Sequence, residues 1–430
     1  MMERMFGLAE RGTNVATEVR AGMVTFLTMS YILFVNPQIL AQAGMPAESV
    51  ATATALAAMV ATLMMGLLAN YPFALAPGMG LNAYFTFGVV QTLGVDWQVA
   101  LAAVFIEGIL FLILALTGVR SALLRAIPQS IKIATMCGIG LFLAMIGLQN
   151  AGLVVDSPAT LVSLGDVRSG GLLLAMAGLL IMAALMVLRV RGAILVGIMG
   201  TTIAAWLMGL APPPERIATM PSLPAETFLA FDFSGLWSGS LLAVVLAFLF
   251  VDIFDTAGTL IGVGRLGGFL DESGDLPRSN RAFAADAIGT SVGAVLGTST
   301  VTSYVESATG VEEGGRTGLT AVVVAGLFGG SLFFTPLFVS VPALATAPAL
   351  VIVGALMMEG ARHLNWKETG EAVPALLTMV AMPFTFSIAN GISLGILSWV
   401  AIRLLTGRVR EVHPLLWLLT LLLGLFYGLR

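Results

Sequence analysis

Tyr71-Pro72-Phe73-Ala74-Leu75-Ala76-Pro77-Gly78-Met79-Gly80-Leu81-Asn82-Ala83-Tyr84 begins an apolar stretch, 71–90, long enough to cross a bilayer. Pro77, Gly78 and Gly80 break any helix near the middle of that stretch, and Asn82 follows directly. A second interrupted stretch runs Gly297-Thr298-Ser299-Thr300-Val301-Thr302-Ser303-Tyr304-Val305-Glu306-Ser307-Ala308-Thr309-Gly310. It alternates like a short strand and can start a helix near Tyr304. Irregular backbone at membrane depth survives only where it is buried in protein or faces a wet cavity. Both stretches therefore point to a cavity inside a membrane protein.

The rest of the chain agrees. Its 430 residues are 58% hydrophobic and 10% charged, with a mean hydropathy of +0.98, which excludes a water-soluble globular domain of this length. Fourteen spans are predicted, at residues 21–41, 48–69, 72–92, 97–119, 131–149, 170–188, 192–211, 238–264, 282–297, 299–311, 317–338, 344–361, 372–388 and 391–406. With the N-terminus in the cytoplasm, seventeen of the twenty basic residues fall inside; only Arg168 and Arg216 fall outside, and Arg430 is unassigned. The apolar run 415–427 is short for a further span and can lie on the surface or pack on a neighbour. No cleaved signal is expected, because Glu3, Arg4, Glu10, Arg11, Glu18 and Arg20 occupy the N-terminus. The single cysteine, Cys137, reads as a core residue.

The chain divides at the proline-rich external loop near 212–233 into two sets of seven spans. An odd number of spans per set forces opposite orientations, and inverted repeats commonly hold substrate at broken segments in corresponding positions. The fold expected is an all-α polytopic membrane protein of about fourteen segments in a 7+7 inverted repeat, with strand–helix third and tenth segments.

Six carboxylates lie within or at the edges of spans: Glu107, Asp252, Asp255, Asp286, Glu306 and Glu359. An ionised acid at a helix centre costs roughly 2.5–3.5 kcal/mol, so each needs a partner, a proton or water. In the eighth span Asp252, Asp255, Thr256 and Thr259 share one helix face, and two acids one turn apart favour protonation of one of them. Glu107 and Asp286 sit on spans without a polar stripe and read as hydrogen-bonding a neighbouring helix. Glu359, beside Arg362, reads as a solvated pair.

There is no phosphate-binding G-x-x-x-x-G-K-[ST] loop, so transport driven by a gradient is expected. The two histidines lie at span ends, which leaves proton transfer in the core to carboxylates. Asp252 and Asp255 do not have the facing geometry of a protease dyad, and no enzyme activity is expected. Acids with an asparagine suit a neutral ligand bearing N–H donors: a purine offers its edges to both, and Phe254 or Tyr304 can stack on its ring.

Four blocks carry a family resemblance: Gly12-Thr13-Asn14-Val15 leading into 26–37; 76–85; 250–259; and 302–307. Over nearly its whole length the chain resembles the nucleobase-cation symporter-2 superfamily, and within it the AzgA-like purine permeases. The resemblance implies a core domain from 1–126 and 234–340, a gate domain from 127–233 and 341–412, and an apolar C-terminal segment, 413–430. It implies that Asn82, Asp252 and Glu306 contact the base and that Asp255 supports binding or proton coupling, which Asp252 and Glu306 share. The implied substrates are hypoxanthine, guanine and adenine, and the implied assembly is a homodimer in the cell membrane. The co-transported ion expected is H+, with Na+ as the alternative, and an anion or other small-solute carrier of the same fold is the alternative function; no cofactor, metal or nucleic-acid partner is expected.

Overall fold

The computed structural model describes residues 2–117, 126–234, 239–272 and 275–428. Arg120, Arg125 and Arg430 of the charge asymmetry, and the end of the fourth predicted span, lie outside the described residues. Every predicted span is occupied by a matching element. Nine helices among the described residues are long and apolar enough to cross a membrane, from Val15–Ala41 to Ile388–Leu405. The other five spans are filled by shorter or more polar pieces: the two broken segments, Ala193–Leu207, Ser279–Leu296 and Thr369–Thr385. The first span is itself in two pieces, Val15–Met29 and Ile32–Ala41, the second holding Pro37. Two π-helical turns, Met65–Ala69 and Tyr84–Thr92, flank the first broken segment.

Strand β1 (Leu75–Pro77) occupies the third segment, ahead of helix Met79–Ala83. An exposed hairpin of β2 (Val154–Ser157) and β3 (Leu161–Leu164) decorates the loop after the fifth span, an addition that the apolar pattern did not foretell. Strand β4 (Val301–Ser303) occupies the tenth segment, ahead of helix Ser307–Glu312. β1 and β4 pair antiparallel, Leu75 with Ser303, Ala76 with Thr302 and Pro77 with Val301. Gly78 N–H to Thr300 O (2.9 Å) and Tyr304 N–H to Ala74 O (2.9 Å) extend the pairing at both ends. The sequence can enter β4 sharply because Gly297 closes the preceding helix at φ +97°, a conformation open to glycine.

The inverted repeat is written into the hydrogen bonds of these strands. Thr62, on the second-span helix Ala47–Met64, uses one hydroxyl to donate to Leu75 O and accept from Leu75 N–H, both at 2.9 Å. Thr290, on the ninth-span helix Ser279–Leu296, does the same for Val301, at 2.8 and 3.1 Å. A twofold axis through the Ala76–Thr302 pair exchanges Leu75 with Val301, so the two clamps are equivalent. Each satisfies a strand edge that the membrane interior leaves without water.

The fifth and twelfth spans carry the same symmetry. The fifth-span helix Gln129–Asn150 meets the twelfth, Ala343–Met357, at Gly140 and Gly354. A Cβ on Gly354 would stand 2.4 Å from Gly140 O, and one on Gly140 would stand 2.7 Å from Gly354 O. Small residues let backbones approach where packing, not water, drives association. Gly354→Val is therefore expected to destabilise by about 1–3 kcal/mol, read as a lower melting temperature of the purified protein, while Gly326→Ala, with nothing within 4 Å of its Cβ, is neutral or stabilising. Equal melting of the two variants would remove this contact from the packing of the two spans.

The helix Pro414–Gly428 packs against Ile388–Leu405 and buries Leu416. Its 15 residues extend about 22 Å, short of the bilayer's roughly 30 Å hydrocarbon core.

Candidate functional site

The residues 298–303 distribute their hydroxyls to separate polar groups on five helices. Asn36 Nδ2 donates to Thr298 Oγ1 (2.8 Å) and to Thr54 Oγ1 (2.7 Å). Ser299 Oγ donates to Asn82 Oδ1. The Thr300 hydroxyl faces the Glu107 carboxyl. Thr302 Oγ1 donates to Asp255 Oδ2 (3.4 Å) and shares a hydrogen bond with Thr256 Oγ1 (2.9 Å). Ser303 Oγ (3.0 Å) and Thr256 Oγ1 (2.7 Å) both donate to Asp286 Oδ2. One short strand segment thus gathers polar groups from the first, third, fourth, eighth and ninth spans.

The eighth-span helix Gly239–Leu266 presents the stripe expected of it, and the structure divides that stripe by depth. Asp252 is fully buried and accepts from Thr290 Oγ1 (3.4 Å). Asp255, one turn on, is half-buried. Glu306 is half-buried too, accepts from the Tyr31 hydroxyl at 2.5 Å, and stands next to Val305, which is 56% exposed. Glu306 therefore occupies the open side of the cluster and Asp252 the closed side. Asn82 is fully buried. Phe254 stacks on Phe250 with centroids 6.2 Å apart, and the Tyr304 hydroxyl donates to Pro77 O at 2.6 Å; both rings are packed into the core.

Several buried polar atoms here have no hydrogen-bond partner: Asn36 Oδ1, Asn82 Nδ2, Glu107 Oε1 and Oε2, Asp252 Oδ1, Asp286 Oδ1 and Thr300 Oγ1. Such atoms are costly in an apolar interior unless something else engages them. They comprise one amide donor, one amide acceptor, four carboxyl oxygens and a hydroxyl that can serve as either, an inventory suited to an uncharged ligand bearing N–H donors. No group of three or more His, Cys, Asp or Glu that could hold a metal ion occurs among the described residues.

This polar cluster at paired broken segments is matched by an independent comparison. The xanthine/uracil permease model, described as a permease family, matches residues 16–394. The chain belongs to that family, the nucleobase-cation symporter-2 family. Within it, the adenine permease AdeP of Escherichia coli is 45% identical, over 98% of this chain and 95% of its own. The guanine/hypoxanthine permease PbuO of Bacillus subtilis is 46% identical, over 96% of each chain. Among solved structures, the transmembrane domain of a cyanobacterium bicarbonate transporter, BicA, superposes with a TM-score of 0.69 at 15% identity, covering 88% of this chain and 97% of that one. That likeness is one of fold, and it places this permease among transporters with a 7+7 inverted repeat of core and gate.

Sequence reasoning separated two groups from the site that the structure joins to it. Asp286 does bond its neighbours, as read, but those neighbours are Thr256 and Ser303 of the cluster itself. Glu107 faces Asp252. Tyr31 lies within the family block 26–37, and nothing local marks it as the partner of Glu306, 275 residues away. Glu359 makes the solvated pair expected of it, 2.9 Å from Arg362 with both side chains exposed.

Proposed function

We propose that this permease takes up purine nucleobases, hypoxanthine, guanine or adenine, together with protons. The observation that carries this reading is the pair of unpartnered buried atoms, Asn82 Nδ2 and Asp252 Oδ1, beside the paired strands of opposite repeats. A purine offers ring N–H groups to the carboxylate and a carbonyl or ring nitrogen to the amide. Glu306 closes the site from its open side, and Asp255 supports it. The relatives support the purine class: an adenine permease and a guanine/hypoxanthine permease are almost equally similar to this chain.

In the mechanism proposed, a carboxyl among Asp252, Asp255 and Glu306 takes a proton from outside, the base binds the protonated site more tightly, and the core moves against the gate. Deprotonation inside releases the base. One charge crossing about 100 mV supplies about 2.3 kcal/mol, which at about 1.4 kcal/mol per tenfold supports roughly fifty-fold accumulation. The basic asymmetry supports a cytoplasmic N-terminus, and the family resemblance supports a homodimer in the cell membrane.

The test is uptake of labelled hypoxanthine, guanine and adenine into proteoliposomes under separately imposed proton and sodium gradients. Accumulation of a purine against its gradient, driven by protons alone, is expected. Accumulation driven only by sodium would overturn the coupling, and flux that neither gradient can drive uphill would make the protein a channel.

A further inference from the structure

Glu107 lies midway along Trp97–Thr117, a helix packed between Ser279–Leu296 and Gly239–Leu266. It is fully buried, and no hydroxyl, amide or cation donates a hydrogen bond to either of its oxygens. Of the ionisable groups on the two helices against it, Asp252 of the eighth span lies within hydrogen-bonding reach and Asp286 of the ninth acts on it through charge, and both are acids. From the tenth segment it meets Thr300, whose hydroxyl is fully buried and also without a partner. Asp252 and Asp286 each keep one oxygen unpartnered on their side.

Apolar surroundings and a neighbouring carboxylate both oppose a second negative charge, and among the described residues no cation acts on Glu107 to offset them. Two carboxyls within reach of each other can hydrogen-bond only when one carries a proton, since an ionised carboxylate accepts and does not donate. Thr300, able to donate or accept, can follow either arrangement.

We propose that Glu107 is a proton-holding residue of this transporter, sharing one proton with Asp252 and acting on the base only through Asp252. With the proton on Glu107, Asp252 is a carboxylate that accepts a ring N–H. When the proton moves, the O–H bond on Glu107 breaks as one forms on Asp252, and the acceptor is withdrawn from the base. No other bond changes, and the pair's charge is constant until a proton enters or leaves it.

This inference rests on proton-coupled uptake, and the experiment separates the two. Binding of labelled hypoxanthine, guanine and adenine to the purified full-length chain is measured across pH in wild type, Glu107→Gln and Glu107→Asp, with proton uptake on binding followed in weak buffer. In wild type, binding is expected to depend on pH and to take up protons. Glu107→Gln is expected to melt like wild type, to move the midpoint of the pH profile by at least about one unit, a tenfold change in proton affinity, and to lose the proton uptake. Glu107→Asp, which keeps the acid, retains the wild-type profile.

A Glu107→Gln protein with wild-type pH profile and proton uptake would sink the role of Glu107 and leave coupling intact. A wild-type protein that binds without regard to pH would sink the coupling first, and the inference with it. Stabilisation of wild type by sodium at high pH, lost in Glu107→Gln, would put a cation between the acids and overturn the shared proton. If Glu107→Gln does not fold, the infrared difference spectrum between low and high pH is read on wild type and Glu107→Asp. A protonated-carboxyl band that moves in the variant is expected; a spectrum identical in the two overturns the proposal.

Discussion

Glu306→Gln is expected to lower purine uptake at least about a hundredfold while leaving the melting temperature of the purified protein unchanged. Glutamine keeps the length and shape of the side chain, and its amide oxygen can still accept the Tyr31 hydroxyl that lies 2.5 Å from Glu306 Oε1. What it loses is the negative charge and the ability to take up and release a proton. A hydrogen bond to a charged group contributes about 1.5–3 kcal/mol, and about 2.7 kcal/mol corresponds to a hundredfold. The helix Ser307–Glu312 begins directly after this residue, and the strand pairing, extended by Tyr304 N–H to Ala74 O, ends two residues before it, so the side chain is carried on a short link between two fixed elements. Tyr31→Phe tests the same contact from the other end: it leaves the acid without its hydroxyl partner and is expected to weaken uptake by about tenfold, one neutral-donor hydrogen bond. Wild-type uptake in Glu306→Gln would remove this acid from the site, and a large fall in melting temperature would make its role structural.

The parts of the fold that were legible beforehand are those whose causes are local. A span is visible because about twenty apolar residues are needed to cross the hydrocarbon, and the broken segments because Pro77, Gly78 and Gly80 cannot continue a helix. The half-and-half division follows from counting spans. The site's acids were visible as expensive residues, but their arrangement was not, because the groups that position them lie far away in the chain. Ser299 reaches Asn82 across 217 residues and Tyr31 reaches Glu306 across 275. No periodicity encodes such contacts. Glu107 and Asp286 were set apart for a different reason: a polar stripe was the criterion for facing the interior, and each is a single acid on an otherwise apolar helix. The criterion detects a face, and it misses an isolated side chain that a crossing helix meets at one point. The clamps made by Thr62 and Thr290 were hidden for the same reason, since threonine on an apolar helix is ordinarily satisfied by its own backbone. Only the strand that each one meets gives it a different task.

Arg403→Met is expected to destabilise the folded permease by about 3 kcal/mol, more than any single change in the exposed loops. Arg403 is 4% exposed near the end of the last predicted span. Its guanidinium pairs with Glu371 and lies over the Trp399 ring, 4.5 Å from the centroid. Arg403 Nε stands 2.9 Å from Glu411 Oε2, a contact at an angle that suits an ion pair and not a hydrogen bond. Glu371 also accepts from Trp399 Nε1, 3.1 Å from both of its oxygens, and from Ser130 Oγ. One charge cluster thus ties the fifth, thirteenth and fourteenth spans to the linker that leads into Pro414–Gly428. Methionine fills much of the arginine's volume but leaves Glu371 a largely buried carboxylate with no cation. Removing one partner of a buried pair typically costs about 3–5 kcal/mol, and the 23% exposure of the Glu371 side chain sets the expectation at the lower end. The double variant Arg403→Met, Glu371→Met is expected to recover much of the loss, because an apolar pair of similar volume often replaces a buried ion pair without net cost. Thermal unfolding of the four proteins in one detergent measures the coupling. If the single variant melts with wild type, or the double melts below the single, these spans are not held by this charge and their stability must come from helix packing such as that at Gly140 and Gly354.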